Sequence, residues 1–188
     1  MPVCLFMRLK FALLIVGIFI VATAPAAEQR VAPDWTLRTP EGEPVTLSEV
    51  AAKRPVLLLF WATWCPYCKA LMPHLQSIGL ENGGKIEILS IHFRDDKGDP
   101  AGFIRDAGYD FTVLTNGTDV AELNGIWSTP GVFIVDTDRV IRFDLYNLPK
   151  PEIPESEEAL SHRKKAGYRA PYWAAEIRKS LDTVLDGR

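Results

Sequence analysis

Val56-Leu57-Leu58-Leu59-Phe60-Trp61-Ala62-Thr63-Trp64-Cys65-Pro66-Tyr67-Cys68-Lys69 is the stretch on which the reading of this chain turns. It opens with an apolar run, Val56 to Trp61, bounded by Pro55. Such a run is too short for an ordinary helix and suits a strand buried on both faces. The chain then turns through Ala62-Thr63-Trp64 into Cys65-Pro66-Tyr67-Cys68, and an amphipathic segment follows from Lys69 to Leu80. A strand that delivers Cys-x-x-Cys to the first turn of a helix suits thiol–disulfide chemistry. Residues three apart in that turn are neighbours, so the two sulfurs can bond without moving the backbone. Pro66 falls at the first helical position, where its missing N–H costs nothing. Unpaired backbone N–H groups and the positive end of the helix dipole favour a thiolate on Cys65. Cys65, at an exposed helix start, is therefore the expected nucleophile, and Cys68, one turn deeper, the resolving thiol. The competing readings are a structural disulfide or half of a metal site. A structural metal site needs two more ligands, and the sequence has no second cysteine pair.

Composition narrows the function further. A chain of 188 residues suits a single domain, and a net charge of −3 leaves no basic footprint for nucleic acid. Outside the pair only Cys4 remains, so there is no disulfide scaffold. The three histidines, His74, His92 and His162, do not cluster in sequence with the cysteines. Residues 1–27 read as targeting rather than fold. Arg8 and Lys10 are followed by an apolar run from Phe11 to Val21, and then by the small residues Ala22 to Ala27. This segment is either a cleaved signal peptide or an uncleaved membrane anchor. Both place residues 28–188 outside the cytoplasm, with the positive charge left inside.

Taken in order, Ala32–Leu37 and Pro44–Leu47 are two short strands around a Glu41-Gly42-Glu43 turn. Ser48 opens a brief helix over Glu49–Ala52. Beyond the Cys-x-x-Cys segment, Gly83-Gly84 breaks the chain and Lys85–His92 alternates like a strand. Asp99 caps a helix over Pro100–Ala107, with Pro100 at its first position. Phe111–Leu114 is a strand and Asp119–Leu123 a helical turn. Val132–Val135 and Arg139–Phe143 form a closing hairpin around Asp136-Thr137-Asp138. Strands alternating with helices predict an α/β sheet with helices on both faces. Residues 147–170, with Pro149, Pro151 and Pro154 and charges at most positions, read as a solvated insertion. Pro171–Leu185 reads as a last helix with Tyr172, Trp173, Ile177, Leu181 and Leu185 on its buried stripe.

Trp64-Cys65-x-x-Cys68 after an apolar strand resembles thioredoxin. The longer string Phe60 to Pro66, with Pro73 further along, is similar to the membrane-tethered or secreted thioredoxins of the bacterial cell envelope (the TlpA, ResA and DsbE type). The resemblance covers roughly Ala32 to Leu145. It implies the thioredoxin fold, a mixed sheet flanked by helices, with an added N-terminal hairpin closing one edge. It also implies a role for Thr129-Pro130, which matches the family's cis-proline loop opposite the cysteines. There the residue before the proline pairs with an extended substrate segment. Trp64 would form an apolar lip for partners, Trp61 would lie in the core, and Pro66 and Tyr67, between the cysteines, would tune the redox poise. Pro73 would kink the redox helix.

The resemblance further implies a disulfide reductase in the periplasm or on the outer face of the inner membrane, of a kind that serves cytochrome c maturation among other tasks. Its partners would be protein thiols and disulfides, with a membrane electron donor of the DsbD type and membrane contact only through the N-terminal segment. Oxidase or isomerase activity stays open. No cofactor is expected beyond the Cys65–Cys68 couple. Two positions depart from the family. Thioredoxin carries a buried Asp, which helps deprotonate the resolving thiol, where this chain has Leu59, and some envelope reductases carry a Glu where it has Leu71, so deprotonation of Cys68 would need another group. Glu87, on the neighbouring strand, is one candidate to replace them, although an exposed strand-edge position is its plainer reading. A copper-binding alternative would use the two cysteines with Met72 or His74. The Pro-x-x-x-Thr-x-x-Cys string that would support peroxidase chemistry is missing.

Overall fold

A computed structural model describes residues 29–152 and 159–187. In chain order these form β1 (Thr36–Arg38), β2 (Pro44–Thr46), α1 (Leu47–Ala51), β3 (Val56–Trp61), α2 (Pro66–Glu81) and β4 (Glu87–His92). There follow α3 (Pro100–Ala107), β5 (Thr112–Leu114), α4 (Thr118–Leu123), β6 (Gly131–Val135), β7 (Ile141–Asp144) and α5 (His162–Leu185). Every residue of β3 is buried, as the unbroken apolar run predicts. The central sheet has the order β5-β4-β3-β6-β7, with β3, β4 and β5 mutually parallel and β6 and β7 antiparallel to their neighbours.

The twofold alternation of a strand sends β3 side chains to two cores. Leu57, Leu59 and Trp61 pack with Leu71, Leu75, Ile177 and Leu181 of α2 and α5. Val56, Leu58 and Phe60 pack with Leu47, Ala51, Val120 and Ala121 of α1 and α4. Burial of each such leucine contributes about 1.5–3 kcal/mol, so the central strand is where the two layers are joined most strongly.

Two expectations change. First, β1 and β2 pair antiparallel, Thr36 opposite Thr46, but the N-terminal segment does more than close one edge. Val31 bridges to Val140 beside β7, and Arg38 bridges to Thr115 beside β5. Ala32 and Trp35 are buried against one face between those contacts, so the segment straps the whole sheet. Second, the last helix does not begin at Pro171. It begins at His162, with the Ser161 hydroxyl accepting the Lys164 N–H, and Pro171 lies inside it. Its buried stripe is Ala166, Ala170, Ala174, Ile177 and Leu181. Tyr172 is not on that stripe. Residues 162–170 are thus the opening turns of a packed helix rather than a solvated insertion. The targeting segment, with Cys4, lies outside the described residues. Among the described residues no helix is long and apolar enough to cross a membrane.

Candidate functional site

Parallel pairing brings the ends of β3 and β4 together, with Trp61 opposite His92, while Gly131 at the start of β6 stands opposite Phe60. Three loops therefore meet at one end of the sheet: 62–65, 93–98 and 127–130. In open α/β sheets, sites form beyond the carboxyl ends of the strands for this reason.

Cys65 is the N-cap of α2, and its Sγ accepts the backbone N–H of Cys68 at 3.1 Å. The two cysteines are bonded, with Cα atoms 5.4 Å apart, inside the usual span of about 4.4–6.8 Å. Pro66 occupies the first helical position. Cys65 is only 1% exposed, against the expectation of an exposed helix start. The neighbouring Trp64 is the residue that stands out, 60% exposed. Trp61 is fully buried and donates its indole N–H to Ser90 Oγ at 2.8 Å.

Thr129-Pro130 is a cis peptide bond, as the resemblance implies. The loop before it is held by Tyr146, whose hydroxyl accepts the Ser128 N–H at 3.0 Å and donates to the Ser128 carbonyl at 2.5 Å. Trp127, 71% exposed, packs on the Tyr146 ring with centroids 5.0 Å apart. Tyr67, Trp127, Thr129, Pro130, Tyr146 and Trp173 line one groove. Of the sequence-predicted contact residues, the fold brings Tyr67, Thr129 and Pro130 to that groove. Trp64 and Pro66 stand outside its lining.

Several site residues were not assigned to the site from the sequence. Tyr67 is clamped by α5: its hydroxyl lies 3.1 Å from His162 Nδ1, its ring packs on Trp173, and the Arg169 guanidinium sits 5.5 Å above it. Two of those three residues come from the segment read as an insertion. His92 and His162 both approach the motif in space, although neither is near it in sequence. Beyond β4, Asp95 Oδ2 accepts from Thr63 N–H at 2.8 Å and lies 3.0 Å from His92 Nε2. A His three residues before an Asp at a strand's end was the available clue.

Glu87 is placed at the opposite end of the sheet, opposite Val56. It accepts the Thr112 hydroxyl at 2.9 Å and lies 3.9 Å from Arg54. It is therefore no candidate to deprotonate Cys68. Leu59 and Leu71 are fully buried apolar side chains, so neither familiar carboxylate position holds a polar group. Met72 is buried in the core. Among the described residues no three or more His, Cys, Asp or Glu side chains gather as a metal site would require.

Comparison with known proteins places this geometry, since residues 29–144 match the AhpC/TSA family. The chain belongs to that family. Among curated family relatives it is 30% identical over 118 residues to "Thioredoxin-like protein YneN" of Bacillus subtilis, covering 61% of this chain and 69% of that one. It is 27% identical over 106 residues to "Thiol:disulfide interchange protein DsbE" of Escherichia coli, covering 55% of this chain and 56% of the relative. The chain thus spans little more than half the length of DsbE. The thioredoxin domain of a thiol-disulfide oxidoreductase from Bacteroides vulgatus superposes with a TM-score of 0.56 at 22% identity, covering 63% of this chain and 88% of that one. A Sinorhizobium meliloti protein reaches a TM-score of 0.65 at 20% identity over 85% of each chain. The fold is thioredoxin-like, with the N-terminal hairpin added.

Proposed function

We propose that this chain is a cell-envelope thiol–disulfide oxidoreductase that works as a protein-disulfide reductase through Cys65 and Cys68. The observation that carries this is the position of Cys65: an N-cap sulfur, bonded to Cys68 and receiving its N–H, with Tyr67 between the two cysteines sharing a groove with the cis Thr129-Pro130 loop. The names of the DsbE relatives support the same class of chemistry.

In the reduced protein the Cys65 thiolate attacks one sulfur of a partner disulfide. A mixed disulfide forms, and the other partner sulfur leaves as a thiolate and takes a proton. Cys68, as its thiolate, then attacks the Cys65 sulfur. The partner leaves with its second thiol, and two electrons have passed to it. The Cys68 N–H and the start of α2 stabilise the thiolate of Cys65 that makes the first attack. Trp64 and the groove by Thr129 and Pro130 would hold an extended partner segment. The cycle needs an outside dithiol to restore the protein, and a membrane donor of the DsbD type fits an exported or anchored chain. Periplasmic placement rests on the reading of residues 1–27.

The roles are tested by single replacements. Cys65→Ser should abolish reduction of a disulfide-bonded protein substrate. Cys68→Ser should accumulate mixed disulfides visible on non-reducing gels. Trapping by Cys65→Ser instead would reverse the assignment.

A further inference from the structure

Two adjacent residues just past β4 reach both loops of the site. Arg94 adopts φ 50°, a left-handed conformation uncommon for a residue with a side chain. Its guanidinium bonds Glu122 at 3.0 Å and reaches the Trp127 carbonyl at 3.5 Å. Asp95 turns the other way, toward the Cys-x-x-Cys turn. Its Oδ2 accepts the Thr63 N–H at 2.8 Å and the Thr63 hydroxyl at 2.5 Å. The third partner, His92 Nε2 at 3.0 Å, must carry the hydrogen, because an ionised carboxylate only accepts.

The Asp95 and His92 side chains are 7% and 8% exposed. Gly98 closes over Asp95 and Thr63, since a Cβ there would stand 2.4 Å from Asp95 Oδ2 and 2.5 Å from Thr63 Oγ1. Burial pushes the Asp95 carboxyl up, but the bonds from Thr63 and His92 outweigh it and hold the group at about 2. The charge therefore persists wherever thiols titrate. Of the other charges nearby, Arg94 is turned to Glu122, Lys69 lies over the Phe103 ring, and Asp96 and Lys97 are exposed. Thr63 is two residues before Cys65, so the carboxylate lies within about 14 Å of the sulfur by chain reach alone, and the Cys65 N–H, donated to the Ala62 carbonyl at 3.1 Å, folds that turn tighter.

We propose that Asp95, clamped by His92 and Thr63, is a positioning residue that sets the thiolate of Cys65. This rests on the thiol–disulfide reading of the pair. A fixed negative charge disfavours a nearby thiolate. It therefore raises the free energy of the reduced form relative to the uncharged disulfide, and moves the couple toward a reductant. The same bonds fix the turn that presents Trp64 and Cys65.

Two replacements of opposite sign test it in the full chain. Asp95→Asn keeps the size and an acceptor for Thr63 but removes the charge. Thr63→Val keeps the charge and removes one compensating donor. The readouts are the ultraviolet absorbance of the Cys65 thiolate against pH and the equilibrium constant with dithiothreitol. Asp95→Asn should lower the thiolate midpoint and favour the dithiol by about three- to tenfold, as expected for one charge at this range. Thr63→Val should move both readings the opposite way by about twofold.

A merely structural clamp would lower the melting temperature and leave both readings unmoved. That result, or shifts of the same sign in both variants, overturns the proposal. Should Asp95→Asn fail to fold, Thr63→Val decides alone, and an unchanged or lowered midpoint overturns it. Should wild-type protein reduce no protein disulfide while its thiolate midpoint still responds to Asp95, the functional reading fails and this inference stands.

Discussion

Strand β4 begins at Glu87, and three residues past its last residue, His92, the chain reaches Asp95. The two carboxylates differ in almost every respect. Glu87 is 30% exposed and shared between the Thr112 hydroxyl and a distant Arg54. Asp95 is shut beneath Gly98 and holds the turn that leads into Cys65. At about 3.3 Å per residue, the length of β4 puts the start of the strand roughly 17 Å from its end. Strand membership alone therefore says little about a site. What counts is which end of a parallel strand a residue occupies, because the carboxyl ends meet where the chain turns into its helices.

The largest effect expected from this contrast is at Asp95 itself. Asp95→Ala strips the acceptor from two Thr63 donors and from His92, and should destabilise the fold by about 2–3 kcal/mol in urea unfolding. The next effect is in acid. Asp95 is held near 2 against an ordinary value of 3.8. A depressed carboxyl adds stability that is present above its unfolded value and lost as pH falls through its folded one. Wild-type protein should therefore lose more stability than Asp95→Asn between about pH 4 and pH 2, and parallel curves would show that the bonds from Thr63 and His92 do not hold in solution. The smallest effect is at Glu87. Glu87→Gln keeps an acceptor for Thr112 and should change stability by less than about 0.5 kcal/mol, with disulfide exchange unaffected. A stability loss there matching that of Asp95→Ala would break the comparison.

Much of this arrangement was legible in the sequence wherever a local signal matched the final environment. The apolar run of β3 is buried on both faces, and Asp99-Pro100 starts α3 with Asp99 Oδ1 accepting the Gly102 N–H at 2.8 Å. Pro66 and Cys65 take the first positions of α2 as their spacing requires. The opening turns of α5 were hidden because their buried stripe is built from alanines among charged residues, which leaves almost no hydropathy contrast. The strap across both sheet edges was hidden because backbone pairing at Val31 and Arg38 has no side-chain signature. The clamps on Tyr67 and Thr63 join residues 95 and 32 positions apart, a distance that only the topology closes.

The reduction potential of the Cys65–Cys68 couple tests the central claim most directly. The protein would be equilibrated in graded glutathione or dithiothreitol buffers and followed by tryptophan fluorescence, with Trp61 and Trp64 beside the pair as reporters. A reductase poised by the charge near its nucleophile should titrate as one two-electron couple close to thioredoxin's value of about −270 mV. A value near about −120 mV, that of the strong oxidant DsbA, would mean that the protein donates disulfides, and would contradict the account.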